Sequence, residues 1–235
     1  MTILIGPPGA ALDAGLAEAL RPLGTASFGH EISTGALPGL FPLRPGVKLV
    51  GTALPVRISC PDSTPVHAAV DLVRPGDVLV VDTGENTRQA SVGAIVAAML
   101  ALRSAAGVVV DGAVTDTAEL RSGPLPVFCR AVSPLTTRVI GAPGSVNVPV
   151  TIGGQRVNPG DIVLGDDDGV LVLPVELARR LAPLVAAREA GEPGYLARFS
   201  EGVPLTEMTG ADRVLAEHGR SVTEPETAYQ EESHP

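Results

Sequence analysis

The sequence predicts a layered domain of the α/β or α+β class. Segments with helical spacing are mixed with short, continuous apolar runs, and the connections between them are rich in glycine and proline. The 235 residues include 27 Gly and 22 Pro. A chain of this length can bury a sizeable core without disulfides or a structural metal. These patterns alone do not fix the order of the strands.

Four apolar segments are predicted to be buried strands because they are rich in β-branched residues and are bounded by turn residues. They are KLVGTALPVRIS (48–59), RPGDVLVVD (74–82), VVVDGAV after Gly107 and VFCRAVSP (127–134). The Pro-Gly-Asp turn of the second segment recurs in NPGDIVLGD (158–166) and marks a further strand. In both copies Pro-Gly fits a type II turn and the Asp caps it.

Helical spacing predicts five helices between these strands, and Ser63 or Thr64 is available as the N-cap of the second. Their ranges are 11–20, 63–73, 87–106, 176–188 and 209–218. We interpret the chain as an N-terminal extension (1–30), a main domain (31–219) and a disordered acidic tail (220–235) with one Arg and four Glu.

Composition argues against several classes of protein. The formal net charge is −9, aromatic residues make up 3% of the chain and there is no Trp, so neither the charge nor the stacking platform of a nucleic-acid-binding protein is present. No apolar run approaches the ~20 residues of a membrane span. Because the first residues lack a basic region, we expect no signal peptide and a cytoplasmic location. Cys60 and Cys129 are expected to be reduced and buried.

Asp116 and Gly93 are the most informative candidate site residues. Asp116 follows a strand and turn, where a carboxylate often binds a hard cation, but it also fits as the N-cap of TAELRS (117–122). Gly93 either lets an anionic ligand approach the backbone closely or packs within an alanine-rich helix. The residues alone leave the Asp116 alternatives evenly balanced, and they favour close packing for Gly93.

Two other polar features are interpreted as structural. The acids Asp166 to Asp168 precede Gly169 and resemble a metal-binding loop, but a tight turn between two strands explains them better. His67 lies alone on a helix face, where a structural role is more common than a catalytic one. No Ser-His-Asp or Cys-His arrangement is convincing, so pattern reasoning names no reaction.

Taken in order, four segments resemble the RraA-like family. They are LRPGVKLVGTAL, VRPGDVLVVDTG, GVVVDGAVTDTAELRSGPLPVFCRAVSP and VNVPVTIGGQRVNPGDIVLGDDDGVLVLP, and the resemblance covers roughly residues 31–220. This family includes 4-hydroxy-4-methyl-2-oxoglutarate/4-carboxy-4-hydroxy-2-oxoadipate aldolases and the regulator of ribonuclease activity A. The resemblance implies a layered β/β/α swivelling-type domain, homotrimers or homohexamers with sites between subunits, and Mg²⁺ or Mn²⁺ acting on a small 2-oxo acid.

The resemblance also implies a set of site residues, and two of them are replaced here. The family pattern is an acid, twenty intervening residues, then Arg-Asp; with its Asp at Asp116, the acid falls on Ala94 and the Arg on Thr115. Thr115 and Asp116 are then the catalytic candidates and Asp116 a metal ligand. Gly93 and the backbone amides of Ile95 and Val96 would bind substrate with Thr115, and Glu192 of a neighbouring subunit would be a second metal ligand.

These replacements leave three hypotheses for function. The first is a divergent metal-dependent lyase of the class II pyruvate aldolase or decarboxylase type. The second is a non-catalytic binding or regulatory protein, and the third is a different biosynthetic reaction on the same scaffold. Arg88, Arg121 and Arg130 are candidates to replace the positive charge that Thr115 lacks.

Overall fold

A computed structural model describes residues 2–219. The residues form two compact units, one ending at Glu189 and the other beginning at Ala190. The predicted acidic tail, 220–235, lies outside the described residues. In the part of the chain that the structure describes, no helix is both long enough and apolar enough to cross a membrane.

The elements mix short strands and helices, as the sequence predicts. The strands are β1 (Ile3–Ile5), β2 (Phe41–Pro42), β3 (Leu49–Arg57), β4 (Asp77–Asp82), β5 (Ala90–Val92), β6 (Gly107–Val114), β7 (Val127–Val132), β8 (Gly144–Val146), β9 (Val150–Ile152), β10 (Gln155–Val157), β11 (Ile162–Asp166) and β12 (Gly169–Leu173). The helices are α1 (Ala14–Leu20), α2 (Thr25–Gly29), α3 (Thr64–Leu72), α4 (Ala94–Leu102), α5 (Thr117–Ser122), α6 (Val175–Ser200), α7 (Leu205–Thr209) and α8 (Ala211–His218).

A ten-stranded sheet runs through the first unit in the order β1-β8-β3-β4-β6-β7-β2. Strands β3, β4, β6 and β7 are parallel neighbours, which fits their continuous apolar sequences because strands of this kind are buried on both faces. The hairpin of β11 and β12 is joined to β3, and β5 is joined to β6. Strands β9 and β10 form a separate hairpin.

Alternate residues of the central strands face two different cores. Leu79 and Val81 of β4 pack in a cluster with apolar residues of α3, α4 and α5, whereas Val78 and Val80 pack in a second cluster with β9 and β10. The central sheet therefore lies between a layer of helices and a layer of strands. This is the β/β/α layering that the resemblance implies, so the predicted fold class is confirmed.

The N-terminal residues contribute to the core of the first unit. Leu16, Leu20 and Phe28 are buried in a third cluster with β11, β12 and the start of α6. Strand β1 pairs in parallel with β8, with Ile3 opposite Gly144. Residues 2–30 thus include a strand and helices that belong to the first unit. The predicted domain boundaries themselves stay a prediction.

The two Pro-Gly-Asp turns are built alike. Gly76 and Gly160 have φ values of +85° and +86°, which glycine adopts without steric cost. Asp77 accepts a hydrogen bond from the backbone N–H of Arg74 at 2.9 Å, and Asp161 accepts one from the residue three before it, at 2.8 Å. Each aspartate caps its own turn, as predicted.

A segment near the N-terminus lies over the second of these turns. Gly9 is so close to the backbone of Gly160 that a Cβ at position 9 would overlap it, and Arg74 donates a hydrogen bond to the Gly9 carbonyl at 3.0 Å. Gly9 is therefore a packing glycine, and nothing in its local sequence connects it with either turn.

The prediction of one long helix over 87–106 is wrong. Residues Ala90–Val92 form β5 beside β6, and α4 begins only after Gly93. The apolar run from Ala90 onward suits a buried strand as well as a helix, and pairing with β6 decides between them. The first helix also starts later than predicted, at Ala14, because Asp13 accepts the N–H of Leu16 at 2.9 Å and caps it.

The C-terminal helices also differ in extent from the prediction. Helix α6 continues to Ser200 instead of ending at Arg188, although Pro193 removes one hydrogen bond from its interior. The stretch predicted at 209–218 is α8, which follows α7 after Gly210, and Gly210 has φ +76°.

Candidate functional site

The candidate site lies where two adjacent parallel strands each lead into a helix. Strand β5 leads through Gly93 into α4, and β6 leads through Thr115 and Asp116 into α5. Val92 is paired with Val114, and the N–H of Thr115 donates to the Val92 carbonyl at 3.0 Å. This register brings together residues that are more than twenty positions apart in the sequence.

Asp116 caps a helix, but not the one that the sequence suggests. It stands at the N-cap position of α5, yet its side chain makes no cap hydrogen bond there. Its Oδ2 instead accepts the N–H of Ala94, the first residue of α4, at 2.8 Å. The interpretation of its side chain as the cap of residues 117–122 is therefore wrong, and the carboxylate stabilises the neighbouring helix through its positive end.

The backbone of Asp116 is in the left-handed region, with φ +53° and ψ +47°. Aspartate tolerates this region better than most residues because its short polar side chain can hydrogen-bond locally, whereas the conformation costs about 1–2 kcal/mol for most other non-glycine residues. Non-glycine residues in such conformations are concentrated at functional sites. Here the conformation directs the carboxylate away from α5 and toward α4.

Position 93 has room for glycine but not for a larger residue. Its φ of −134° is open to any residue, but a Cβ at this position would lie 2.5 Å from Asp116 Oδ2 and 2.8 Å from Thr115 Cγ2. An anion does approach the backbone closely at Gly93, and that anion is the protein's own carboxylate. The alternative of packing within a helix interior is wrong, because Gly93 is the N-cap of α4.

Two backbone donors remain at the start of α4. The N–H of Ala97 donates to the Gly93 carbonyl at 3.0 Å, and that of Ala94 is held by Asp116. Within residues 2–219, the N–H groups of Ile95 and Val96 have no acceptor. The predicted substrate-binding amides therefore lie beside the predicted carboxylate and are free to bind an anion at the positive end of the helix.

Thr115 contributes a hydroxyl and no charge. Its Oγ1 lies 3.5 Å from Asp116 Oδ1, at the outer limit of a hydrogen bond. Two of the arginines considered as replacements bind elsewhere: Arg121 donates to the Leu43 carbonyl, and Arg130 pairs with buried Asp111. The third, Arg88, is exposed in the turn before β5.

Glu192 is exposed and lies on α6 in the second unit, so a single chain does not test its predicted role beside Asp116. The described residues contain no group of three or more His, Cys, Asp or Glu side chains arranged to hold a metal. The acids Asp166 to Asp168 form the turn between β11 and β12, as predicted.

Asp166 is structural and is surrounded by donors. It accepts hydrogen bonds from the N–H and hydroxyl of Thr25 and from Lys48 Nζ. Burial raises the pKa of Asp166, but these donors outweigh burial, so its pKa lies below its ordinary value. This carboxylate is therefore committed to holding α2 on the β-hairpin.

Two ion pairs between neighbouring strands, each with a buried aspartate, were missed by sequence reasoning. Arg57 of β3 pairs with Asp82 of β4 at 3.0 Å, and Arg130 of β7 pairs with Asp111 of β6. The two buried aspartates are therefore neighbours in the sheet, with an arginine on the strand to either side, and Arg57 itself is exposed. Burial raises the pKa of Asp111, nearby Asp82 and Glu85 add to this, and Arg130 opposes it. The signal for them was an Asp at the end of each apolar run, VLVVD and VVVD.

Both cysteines are free thiols; Cys129 is buried, as predicted, whereas Cys60 is only half-buried. Burial raises the pKa of each thiol, which keeps it in the unreactive protonated form. Neither cysteine is part of the candidate site.

The fold and the site define a β/β/α layered protein with a candidate site at two neighbouring strand-to-helix junctions. Comparison with known sequences identifies its family. The chain belongs to the RraA-like family: the sequence model of this family, described as Aldolase/RraA, matches residues 13–172. The predicted family membership is confirmed.

Relatives with similar sequences are named as aldolases. The chain is 36% identical over 133 residues to a putative 4-hydroxy-4-methyl-2-oxoglutarate aldolase of Halalkalibacterium halodurans, covering 57% of this chain and 63% of that protein. It is 39% identical over 113 residues to the 4-hydroxy-4-methyl-2-oxoglutarate aldolase of Thermus thermophilus, covering 48% of this chain and 68% of that protein. The match to the first therefore spans less than two thirds of its length.

Solved structures give the same fold. Streptomyces coelicolor RraAS2, described as an unusual member of the RNase ES inhibitor RraA protein family, superimposes with a TM-score of 0.72 at 28% identity, over 79% of this chain and 98% of that one. The RNA-processing inhibitor RraA of Thermus thermophilus gives a TM-score of 0.58 at 32% identity, over 63% and 90%.

Proposed function

We propose that this protein is a divergent, metal-dependent lyase, of aldolase or decarboxylase type, acting on a small 2-oxo or hydroxy carboxylic acid. The observation that carries the proposal is the pair of free N–H groups, of Ile95 and Val96, next to the Asp116 carboxylate. One junction would thereby offer donors for a substrate carboxylate next to a carboxylate of the protein that would bind a cation. The aldolase names of relatives support the choice of reaction class.

The residues fit a divalent cation in one mode only. Asp116 Oδ2 accepts the N–H of Ala94, so Oδ1, which has only the long 3.5 Å contact with the Thr115 hydroxyl, is the oxygen open to a cation. Mg²⁺ is commonly held by one or two carboxylates together with waters and substrate oxygens, and one oxygen suffices for that mode. Asp116 would hold the ion, and we propose that Glu192 of a second copy assists in a homotrimer or homohexamer. When bound, Mg²⁺ or Mn²⁺ would polarise the 2-oxo group as a Lewis acid.

The chain's own residues then bind and orient the substrate. The N–H groups of Ile95 and Val96 hold its carboxylate at the positive end of α4, where the helix dipole adds to two hydrogen bonds. The Thr115 hydroxyl donates to a substrate oxygen at the position where the resemblance implies an arginine. A neutral donor stabilises developing negative charge less than a guanidinium does. We expect the rate to be lower by at least about a hundredfold than with the charged residue, on the scale of a lost oxyanion-hole donor.

The double substitution Ala94→Asp plus Thr115→Arg tests this assignment. It restores both side chains that the resemblance implies, and we expect it to create or raise pyruvate aldolase or oxaloacetate decarboxylase activity with Mg²⁺ or Mn²⁺. Activity is measured by pyruvate release coupled to a dehydrogenase, and Asp116→Ala in the same background is the control that should abolish the gain. A folded double variant without any gain would contradict the proposed site.

A non-catalytic binding or regulatory role is the second candidate, and the observations that favour it are the neutral side chains of Ala94 and Thr115. Calorimetry separates the two functions. Binding of Mg²⁺ or Mn²⁺ at micromolar concentration, lost in Asp116→Ala, supports the lyase. Binding no tighter than millimolar, together with no turnover of any acid in a 2-oxo acid panel, supports the binding protein.

A further inference from the structure

A shallow apolar groove lies between α4 and α5 and begins at the candidate site. Its volume is about 210 Å³, below the roughly 300–1,000 Å³ of pockets for larger ligands. One wall is formed by Ala94, Ala97 and Ala98, which share one face of α4 because they are three and four positions apart. The other is formed by Leu120, by Leu125 and by the turn before it.

The groove exists because the residues of its α4 wall are small. A methyl group at positions 94, 97 and 98 leaves space that a longer side chain would fill. Ala94 also ties the groove to the site, since its own N–H is held by Asp116 and the free N–H of the next residue is the proposed carboxylate donor. A molecule whose carboxylate is held at Ile95 can therefore extend an adjoining group along this wall.

The charge of the groove selects against a second anionic group. Its lining contains one ionisable side chain, Glu119, and no Lys, Arg or His. A ligand with a carboxylate at this end would meet Glu119 with no cation to offset the repulsion. A ligand with a hydrocarbon group would instead cover the alanine and leucine side chains.

We propose that this groove is a subsite for the hydrocarbon substituent of the substrate. The preferred substrates are then monocarboxylic 2-oxo acids with a short aliphatic group, rather than the dicarboxylic acids in the names of its relatives. This inference rests on the proposed function, because it takes the start of α4 as the site of the carboxylate.

Direct binding to the intact protein tests the proposal without turnover. Pyruvate, 2-oxo-4-methylpentanoate and 2-oxoglutarate are titrated in the presence of Mg²⁺ by calorimetry, with the methyl NMR signals of Ala97 and Ala98 as the local readout. Each buried methylene contributes roughly fourfold in affinity. With two to three groups partly covered, we expect 2-oxo-4-methylpentanoate to bind about tenfold more tightly than pyruvate, and 2-oxoglutarate to bind no more tightly than pyruvate.

Two substitutions locate the effect in the groove. Ala98→Leu fills it and should abolish the tenfold preference while leaving pyruvate binding unchanged; Ala118→Leu, at an exposed position of α5 outside the groove, is the matched control and should keep the preference. Glu119→Gln removes the negative wall and should raise the affinity for 2-oxoglutarate several-fold relative to pyruvate.

The outcomes separate this inference from the proposed function. If all three acids bind with equal affinity, or the preference survives in Ala98→Leu, the groove is not the subsite although the carboxylate site stands. If no acid binds, both proposals are overturned. If Ala98→Leu changes the oligomeric state in light scattering and leaves ligand affinities unchanged, the groove is covered by another copy of the chain and the subsite is refuted.

Discussion

Substituting Asp116 separates the strain of its backbone from the value of its hydrogen bond. The carboxylate accepts the Ala94 N–H at 2.8 Å, and a cap of this kind contributes about 1 kcal/mol to the free energy of unfolding. In Asp116→Ala this contribution is lost, and alanine at φ +53° adds about 1 kcal/mol of strain, so the total cost is about 2 kcal/mol. Asp116→Gly loses the same cap but has no such strain.

The glycine variant should therefore be about 1 kcal/mol more stable than the alanine variant, a difference of roughly 2–4 °C in melting temperature for a domain of this size. Asp116→Asn keeps both the left-handed preference and a cap oxygen, and loses only the interaction of charge with the helix dipole, about 0.5 kcal/mol. Urea unfolding followed by circular dichroism, without metal or substrate, gives all three values. An alanine variant as stable as the glycine variant would refute the left-handed conformation of residue 116.

Three other substitutions test the packing and the charges of the first unit. Gly93→Ala should lower the free energy of unfolding in urea by about 1–3 kcal/mol and displace the Asp116 carboxylate. Gly191→Ala is the control, because a Cβ there meets nothing within 4 Å, and it should be neutral or slightly stabilising. Equal effects of the two substitutions would contradict the close approach of Gly93 to Asp116. Because the pKa of Asp166 is lowered in the folded protein, this residue stabilises the fold at pH values above its ordinary pKa of 3.8, and the stabilisation is lost as the pH falls through the folded pKa. In Asp166→Asn the free energy of unfolding should therefore fall less steeply in acid. The raised pKa of Asp111 has the opposite effect, because stability is lost as the pH rises from 3.8 through the folded pKa. Asp111→Asn should remove that loss. The free energy of unfolding is measured across this pH range, and equal pH dependence in a variant and the unsubstituted protein would contradict the assignment.

The strands were predictable because burial on both faces requires continuous apolar sequence. The boundaries of β3, β4, β6 and β7 follow the predicted segments within a few residues. The prediction of one helix over 87–106 was wrong because an apolar run of this kind is compatible with both a strand and a helix. Only the pairing of β5 with β6, a tertiary contact, places the break at Gly93.

The proximity of the candidate residues could be predicted, but their arrangement could not, and their roles stay predictions. The resemblance named Gly93, Ile95 and Asp116, and these lie together in the structure. Nothing in the local sequence shows that Asp116 is left-handed or that its carboxylate caps α4, because both depend on the register between two strands. The buried Asp82 and Asp111 were also missed, since a terminal Asp on an apolar run predicts a turn as readily as an ion pair.

The pairing of β1 with β8 has a consequence for synthesis of the chain on the ribosome. Ile3 is opposite Gly144, so about 140 residues must be translated after β1 before its partner exists. At roughly 5–20 residues per second this delay is on the order of 7–28 s. During it, the apolar Ile3–Ile5 segment is an unpaired strand next to a growing chain. Nascent polypeptides stalled before residue 144 should therefore be more prone to aggregation and to capture by chaperones than those stalled after it.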